Sequence, residues 1–373
     1  MGFGIYVHWP FCRSKCPYCD FVSIPAKKFD CDAWAKAYEK SLKFYAEETA
    51  GKTVTSIFFG GGTPSLMTFE LVSFVIETIR NLWGVSDDVE ISAEVNPCSI
   101  NREKMLLFRQ TGINRLSVGV QSFNDNSLKF LGRMHSAGQA LAVIKDAKEI
   151  FPIVSADFIY ALPNQSLQDW KNELDFILSS GLNLKHLSLY QLTIEEGSFF
   201  YRKGIRPAEE DLAADMFELT DRMTYQAGLE RYEVSNHAVK GYECRHNLLY
   251  WNGGEWIGTG PAAHGRYTTE KGVKATSQEK NVSEWLLNQI NEQIILTPKE
   301  TAVELILMGL RIRDGIDRNT FFTRTGMQPE DFMDSGTLND YQTDGFLICD
   351  KKGIRATTEG TMILDALCRT LLK

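Results

Sequence analysis

Three cysteines near the N-terminus, Cys12, Cys16 and Cys19, lie within eight residues of one another, in a segment that also contains Pro17. Cysteine thiolates are the usual ligands of iron–sulfur clusters, because soft sulfur suits iron and can bridge closely spaced metal ions. Three protein ligands on a four-iron cluster leave one iron open, and an amino acid with a free amine and carboxylate fits that vacancy. The spacing therefore predicts a 4Fe–4S cluster on this loop.

Two other interpretations of the cysteine trio remain open. A zinc site would need a fourth Cys or His at comparable spacing, and the nearest candidate, His8, lies on the strand-like run before the loop. The trio could also be structural thiols. The remaining cysteines are scattered along the chain, and we expect small buried side chains or free thiols at Cys31, Cys98, Cys244, Cys349 and Cys368.

Six strand-like runs recur in the first half of the chain, each bounded by turn or helix signals. They span residues 4–8, 54–59, 89–95, 114–120, 153–160 and 185–191. Helical segments lie between them, including residues 32–48, 68–82 and 136–150. This alternation predicts a parallel sheet, because parallel neighbours need a crossover connection. We therefore expect an α/β fold, a partial barrel of six β/α units, with a flat doubly wound sheet as the main alternative.

Residues with distinctive chemistry lie at or near the ends of these runs. The cysteine loop follows the first run, and the others are Gly60, Gly61 and Gly62 after the second, Glu94, Gln121, Asp157, Tyr190 and Gln191. Ligands of parallel β/α sheets bind at the carboxyl edge of the strands, so these segments are predicted to form one site. The glycines would let the backbone approach a ligand closely. Glu94, Gln121, Arg133 and Asp157 suit the amine, hydroxyls and carboxylate of a nucleoside amino acid.

The pattern becomes irregular after about residue 200, which predicts a domain at 1–200, a connecting segment at 201–299 and a C-terminal helical domain at 300–373. Helices are expected at 208–228 and 281–293, and a glycine-rich aromatic segment occupies 244–265. From residue 300, helices closed by a hairpin resemble a winged helix. This part holds nine Lys and Arg against twelve Asp and Glu, so the phosphate attraction of a DNA-binding domain is missing.

The overall composition is that of an ordinary globular protein. The net charge of −8 and a pI near 5.4 argue against a general nucleic-acid binder. No apolar run reaches the roughly 18 residues of a transmembrane helix. The N-terminus lacks a basic region and a long apolar run, which is not typical of a signal peptide. These features predict a cytoplasmic protein.

The cysteine spacing, together with the YVHWPF that precedes it and the GGGTP that follows the second run, resembles the radical SAM superfamily. The resemblance implies that the open iron holds the methionine part of S-adenosylmethionine. It also implies that an electron from the cluster can break the sulfonium bond and yield a 5′-deoxyadenosyl radical, as in that superfamily. The cofactor carries the difficult chemistry, while the protein provides orientation and shelter.

Nearly the whole chain resembles the oxygen-independent coproporphyrinogen III oxidase family, and within it the HemW-type haem chaperone branch. The resemblance is carried by the segments YVHWPFCRSKCPYCDF, FFGGGTPSLM, SAEVNP, RLSVGVQSFND, LGRMHS, SADFIYALPNQS, RYEVSNHA, RHNLLYW and LMGLRIRDGID. It implies a radical SAM partial barrel with a C-terminal helical, winged-helix-like domain. It also implies that the residues contacting S-adenosylmethionine are Tyr6, Tyr18, Gly62, Thr63, Glu94, Gln121, Arg133 and Asp157.

Three features favour the chaperone branch over the oxidase. The oxidase usually has a fourth cysteine two residues after the third, where this chain has Phe21, and a longer N-terminal extension before the cluster loop. The HNxxYW motif of the chaperone branch is present at residues 246–251. The resemblance implies that His246 helps to hold haem, for which a neutral imidazole is a natural axial ligand. His237 departs from relatives that often carry Phe, and we interpret it as a surface change rather than a second haem contact.

The sequence therefore predicts a haem chaperone that binds haem, a 4Fe–4S cluster and S-adenosylmethionine and passes haem to an acceptor protein. The alternative is an oxidase that decarboxylates two propionates of coproporphyrinogen III in porphyrin biosynthesis, and a third candidate is a radical enzyme acting on another substrate. Whether the protein is an enzyme stays open. The expected partners are haem or porphyrin, a haem-acceptor protein and an electron donor, with a peripheral membrane contact through the acceptor and no nucleic acid.

Overall fold

The computed structural model describes residues 2–25 and 28–372. Its strands are β1 (Phe3–Trp9), β2 (Phe11–Cys12), β3 (Ile24–Pro25), β4 (Thr53–Gly61), β5 (Gly84–Val95), β6 (Arg115–Gln121), β7 (Ile153–Tyr160), β8 (His186–Gln191), β9 (Glu230–Glu233), β10 (Asn236–Ala238), β11 (Glu255–Thr259), β12 (His264–Thr269), β13 (Gly272–Gln278), β14 (Ile290–Ile295), β15 (Ile316–Asp317), β16 (Leu347–Cys349) and β17 (Gly353–Ala356).

The α-helices are α1 (Cys31–Glu48), α2 (Phe69–Leu82), α3 (Arg102–Gln110), α4 (Asp125–Phe130), α5 (Ala137–Ile150), α6 (Leu167–Ser179), α7 (Phe199–Arg202), α8 (Glu210–Gln226), α9 (Arg245–Trp251), α10 (Val282–Trp285), α11 (Pro298–Gly309), α12 (Arg318–Thr325), α13 (Ser335–Thr343), α14 (Thr358–Met362) and α15 (Leu364–Leu371). Short 3-10 turns lie at Pro64–Leu66 and Pro329–Phe332. Many helices start at a side chain that accepts hydrogen bonds from the first turn, as Ser136 does in the capping box of α5.

The six predicted strands pair side by side and in parallel, in the order β1, β4, β5, β6, β7, β8. This confirms the partial barrel of six β/α units. The sheet continues beyond both edges: β11 pairs in parallel with β1 and leads to the antiparallel β12, β13 and β14, whereas β10 and β9 follow β8. Residues 201–299 thus add strands to both edges of the barrel sheet, and the domain boundaries at 200 and 299 stay a prediction.

The predicted helix at 281–293 is wrong over most of its length. Only α10 is helical there, and the chain then forms β14, which pairs antiparallel with β13. Residues 290–295 have no strong intrinsic preference for helix or strand. Pairing with the free edge of β13 therefore determines that they form a strand.

Successive side chains of β1 point alternately into the packed core and into the barrel interior. Phe3, Ile5, Val7 and Trp9 belong to the main hydrophobic core, which also contains residues of the surrounding helices. Trp9 packs against Trp34 of α1, with ring centroids 5.0 Å apart, and Trp34 stacks on Trp285. This aromatic cluster fixes the strand that leads directly into the cysteine loop.

The C-terminal part has its own core and a three-stranded sheet of β15, β17 and β16. Helices and a small antiparallel hairpin confirm the expected winged-helix-like domain. The domain contacts the rest of the chain where the guanidinium of Arg311 lies 4.8 Å from the ring centre of Trp251. Within residues 2–25 and 28–372, no helix combines the length and apolar character needed to cross a membrane.

A buried ion pair ties the barrel to the segment before α9. Arg115 and Glu90, whose side chains are 2% and 5% exposed, lie 3.4 Å apart, and Arg115 also donates to the carbonyl of Tyr242. We expect Arg115→Leu to lower the free energy of unfolding by about 3–5 kcal/mol, because Glu90 is left buried without its cation. Urea unfolding followed by circular dichroism measures this loss.

The matched control is the exposed ion pair of Arg245 with Asp88, whose side chains are 53% and 70% exposed. Arg245→Leu should change the free energy of unfolding by less than about 1 kcal/mol, because water screens that pair. Equal effects of the two substitutions would show that the pair of Arg115 and Glu90 does not stabilise the barrel in this way.

Candidate functional site

A cavity of about 370 Å³ lies at the carboxyl edge of the parallel strands. Ten of the twelve predicted site residues line it: Cys12, Cys16, Tyr18, Cys19, Gly62, Thr63, Glu94, Gln121, Arg133 and Asp157. The structure thus brings these residues together as the strand topology predicted. Tyr6 and His246 lie elsewhere, in the interior of the barrel.

The cysteine loop leaves the sheet after β1 and is closed at its base by short strands. Residues Phe11 and Cys12 of β2 pair with Ile24 and Pro25 of β3, and the amide of Ile24 donates to the carbonyl of Pro10 at 2.8 Å. Cys12 is buried, whereas Cys16 and Cys19 are partly exposed to the cavity. The loop therefore presents three thiols to one space from a closed base.

Polar groups of neighbouring segments contact the thiols. The hydroxyl of Thr63 donates to the sulfur of Cys12 at 3.4 Å, and the guanidinium of Arg133 donates to the sulfur of Cys16 at 3.3 Å. Burial raises the pKa of the Cys12 and Cys19 thiols above its usual range. A positive guanidinium beside the loop favours the thiolate form that metal ligation requires.

The three thiols line a cavity rather than converge on a point. Among the residues that the structure describes, no group of three or more His, Cys, Asp or Glu side chains is arranged to hold a single metal ion. His8, the candidate fourth ligand of a zinc site, uses both ring nitrogens in hydrogen bonds, with Nδ1 3.0 Å from the hydroxyl of Tyr6 and Nε2 2.9 Å from the carbonyl of Val22.

Two carboxyl groups face the cysteine loop across the cavity. Glu94 accepts from the amide of Gly61 at 3.2 Å, and Asp157 accepts from the hydroxyl of Ser117 at 2.8 Å. Burial, and then the nearby charge of Asp157, raise the pKa of Glu94 to about 8. Burial also raises the pKa of Asp157 to about 6. Such a pair prefers a cationic ligand, which would let both carboxyl groups ionise.

Gln121 and Arg133 complete the wall of the cavity. Gln121 ends β6 with a φ of 70°, a left-handed conformation that is uncommon outside glycine and typical of functional sites. Arg133 donates to the carbonyl of Gly119 at 3.0 Å and to the hydroxyl of Tyr18 at 3.4 Å. These bonds hold the guanidinium between the strand end and the cysteine loop.

The three glycines at and just after the end of β4, Gly60, Gly61 and Gly62, lie too close to neighbouring atoms to carry a side chain. A Cβ on Gly60 would lie 2.9 Å from the rings of Phe58 and Tyr6, and one on Gly61 would lie 2.5 Å from the His8 ring. A Cβ on Gly62 would meet the carbonyl of Phe11 at 2.8 Å. Gly61 and Gly62 also line the cavity, and the close approach of their backbone to a ligand stays a prediction.

His246 lies among the first residues of β1 and β4, away from the carboxyl edge. It is 1% exposed, and its Nδ1 and Nε2 lie 2.8 Å from the hydroxyl of Ser56 and 2.7 Å from that of Tyr250. Burial lowers the pKa of His246 to about 3, so the ring is neutral. Both nitrogens that could bind a haem iron are thus in use.

The prediction that His237 is a surface residue is wrong. His237 lies in β10 between β8 and β9 and is 2% exposed, and burial lowers its pKa to about 3. The segment had no strong strand signal, and its burial results from pairing with β8, whose sequence is far away in the chain.

Further cavity residues could have been found from strand alternation. Ser117 also lines the cavity, because it pairs with Glu94 and shares a face of β6 with Gly119 and Gln121. Asn96, Thr193 and Glu195 line the cavity from loops, where no periodic signal marks them.

Comparison with known sequences identifies the family. Residues 6–177 match the Radical SAM superfamily, and residues 296–363 match the HemN C-terminal domain. The chain is 33% identical to the Danio rerio protein named Radical S-adenosyl methionine domain-containing protein 1, mitochondrial, over 99% of this chain and 86% of that protein. The chain belongs to the radical SAM HemN/HemW family.

Other members of the HemN/HemW family match over almost their whole length. The Heme chaperone HemW of Buchnera aphidicola subsp. Acyrthosiphon pisum (strain APS) is 31% identical, covering 99% of this chain and 98% of that protein. The protein of the same name from Mycobacterium tuberculosis (strain ATCC 25618 / H37Rv) is 32% identical, covering 99% and 95%. The solved coproporphyrinogen III oxidase (HemN) from Escherichia coli shares the fold, with a TM-score of 0.82 at 22% identity over 99% of this chain and 89% of that one.

Proposed function

We propose that this protein is a haem chaperone of the radical SAM type, which binds haem, a 4Fe–4S cluster and S-adenosylmethionine and passes haem to an acceptor protein. The observation that carries the proposal is the relationship over nearly the full length to proteins named Heme chaperone HemW, at 31–32% identity. The cavity with three cysteine thiols and two facing carboxyl groups supports the cofactor part of it.

The donor set fits an iron–sulfur cluster. Cys12, Cys16 and Cys19 line one cavity from one loop and would hold the cluster there. When bound, the cluster supplies an electron and an iron with a free position for S-adenosylmethionine. Arg133 offsets the negative charge of the thiolates, from 3.3 Å at Cys16. Glu94 and Asp157 provide acceptors for the donors of the bound molecule.

The arrangement of His246 does not fit a haem ligand. Its ring is enclosed, both nitrogens are hydrogen-bonded, and it does not line the cavity at the carboxyl edge. Binding haem iron at this residue would require the Tyr250 or Ser56 contact to break and the barrel interior to open. We therefore propose haem binding for the protein and derive no step through this side chain.

Phe21 supports the chaperone over the oxidase alternative. It stands where the oxidase usually has a fourth cysteine, it is 56% exposed and it lines the cavity. An exposed apolar ring that lines the cavity suits contact with a flat apolar molecule or a partner.

The proposal is tested on one anaerobically reconstituted sample. We expect added haem to produce a Soret band that saturates at about one haem per chain, and coproporphyrinogen III with reductant and S-adenosylmethionine to give no protoporphyrinogen. Product formation without saturable haem binding would overturn the chaperone in favour of the oxidase. Bovine serum albumin, which binds haem without a cluster, is a suitable control for the haem titration.

The partners and the compartment follow from the same proposal. A haem chaperone needs haem, an acceptor protein and, for its cluster, an electron donor, and we place the protein in the cytoplasm. Contact with a membrane would be peripheral and through the acceptor. The net charge of −8 does not favour binding to the negatively charged phosphates of nucleic acid, and we propose no nucleic-acid partner.

A further inference from the structure

Four aromatic rings form a row inside the barrel, from α9 to the cysteine loop. The ring of His246 stacks on Phe58, with centroids 5.4 Å apart and planes at 23°, and Phe58 stacks on Tyr6 at 6.3 Å and 23°. The hydroxyl of Tyr6 lies 3.0 Å from Nδ1 of His8. The row thus connects the HNxxYW helix with the strand that leads into the cysteine loop.

The upper end of the row is anchored on the loop itself. Nε2 of His8 lies 2.9 Å from the carbonyl oxygen of Val22, three residues after Cys19. A carbonyl oxygen only accepts, so Nε2 must carry the proton, and Nδ1 accepts the proton of the Tyr6 hydroxyl. The Val22 carbonyl therefore sets the tautomer of His8, and the Tyr6 hydroxyl helps to hold the orientation of this ring, which contacts the end of the loop.

Glycines beside the row leave its rings little freedom to tilt. A Cβ on Gly4 would lie 3.1 Å from the His246 ring, one on Gly60 2.9 Å from Tyr6, and one on Gly61 2.5 Å from His8. At Gly60 and Gly61 the approach is closer than real Cβ atoms make, and at Gly4 a Cβ would push the His246 ring aside by a few tenths of an ångström. Gly60 lies equally close to Phe58, so the backbone of β1 and β4 packs directly against all four rings.

The lower end of the row is held by α9. His246 bonds to Ser56 on one side and to Tyr250, four residues further along α9, on the other. Trp251, the last residue of the same helix, contacts Arg311 after α11 of the C-terminal domain. Helix α9, which carries the HNxxYW motif, therefore holds the His246 end of the row in place.

We infer that His246 is a positioning residue for the cysteine loop, acting through Phe58, Tyr6 and His8. Removing its ring leaves the hydroxyls of Ser56 and Tyr250 unpaired and lets Phe58 tilt, so Tyr6 no longer holds His8 against Val22. This role needs no contact between His246 and haem, and it goes beyond the proposed haem transfer.

The test uses full-length protein, free of haem and anaerobically reconstituted. We expect His246→Ala and Phe58→Leu to keep the cluster but to weaken S-adenosylmethionine binding roughly tenfold, the equivalent of about one buried hydrogen bond. The change that S-adenosylmethionine causes in the electron paramagnetic resonance spectrum of the reduced cluster should be altered in both variants. Neither Phe58 nor leucine can ligate iron, so a shared effect must arise through the row.

Four further variants separate the role of the row from a general loss of stability. His246→Gln, which can bond to both hydroxyls, should recover part of the affinity, and the double variant His246→Ala/Phe58→Leu should lose less than the product of the single losses. His237→Phe, a buried histidine outside the row, should behave as wild type. If His246→Ala fails to fold, Tyr250→Phe removes one hydroxyl of the same network and gives the same test.

Unchanged S-adenosylmethionine binding and an unchanged resonance spectrum in folded His246→Ala and Phe58→Leu would overturn the inference. Loss of the Soret band in His246→Ala alone, with both cofactor measurements unchanged, would instead identify a haem contact. The measurements of S-adenosylmethionine binding and of the resonance spectrum contain no haem. Failure of the separate wild-type haem titration would therefore refute the proposed function and leave this inference standing.

Discussion

Cys12→Ala should remove the cluster: iron after anaerobic reconstitution falls from about four atoms per chain to near none, and the visible absorption of the cluster disappears. Cys12 is the most enclosed of the three thiols and lies where β2 enters the loop, so its removal takes away the ligand at the base of the loop. S-adenosylmethionine binding should weaken by about 100-fold or more, because the contacts to the open iron are lost with it. Iron analysis and equilibrium dialysis of S-adenosylmethionine measure both effects.

Cys31→Ala and Cys368→Ala are the matched controls. Both thiols are partly exposed and lie outside the cavity, one at the start of α1 and one in α15. Each control should keep the iron content and the affinity for S-adenosylmethionine of the wild type. A full cluster in Cys12→Ala, or its loss in both controls, would contradict the assignment of the ligands.

Glu94→Gln should make the affinity for S-adenosylmethionine depend less on pH. With a pKa of about 8 in the free protein, Glu94 is largely protonated at pH 7. A sulfonium cation favours the carboxylate, so binding below pH 8 must release the proton, and the wild type gains affinity as the pH rises to 8. The ratio of the Kd values of variant and wild type should therefore increase by up to about tenfold per pH unit between pH 6.5 and 8 and stay constant above.

Using this ratio cancels the titration of the amine of S-adenosylmethionine, which is common to both proteins. Isothermal titration calorimetry in two buffers of different ionisation enthalpy measures the released proton directly. Glu173→Gln is the control, because burial also raises the pKa of Glu173 but its carboxylate accepts from Ser122 and Phe123 outside this cavity. A ratio that does not change with pH would show that Glu94 does not sense the charge of the bound molecule.

The candidate site has two chemically different parts that line one cavity. The cysteine loop supplies soft ligands, and Arg133, which follows α4, donates to one of them. The strand ends supply carboxyl groups, and a bound cation would favour their ionised form. A molecule that chelates the cluster iron at one end and carries a positive charge at the other would contact both parts of the site. This complementarity is the physical basis on which we propose S-adenosylmethionine here.

The sequence alone determined the cluster loop, the six parallel strands and most of the cavity. The spacing of the cysteines can be read from a short segment of sequence. Alternating strands and crossover helices form a parallel sheet, and the carboxyl ends of its strands lie at one edge. For that reason Glu94, Gln121 and Asp157, which are far apart in sequence, were predicted to lie together, and all three line the cavity.

Only the tertiary structure decided where His246 and His237 lie and why the glycines are needed. The environment of each depends on strands that pair over long sequence distances: Ser56 and Phe58 beside His246, β8 beside His237, and the rings of Tyr6 and His8 beside Gly60 and Gly61. A local pattern records which side chains face inward, but the partners they meet there depend on the register between strands. The HNxxYW motif was therefore found in the sequence, whereas its position at the base of the barrel was not.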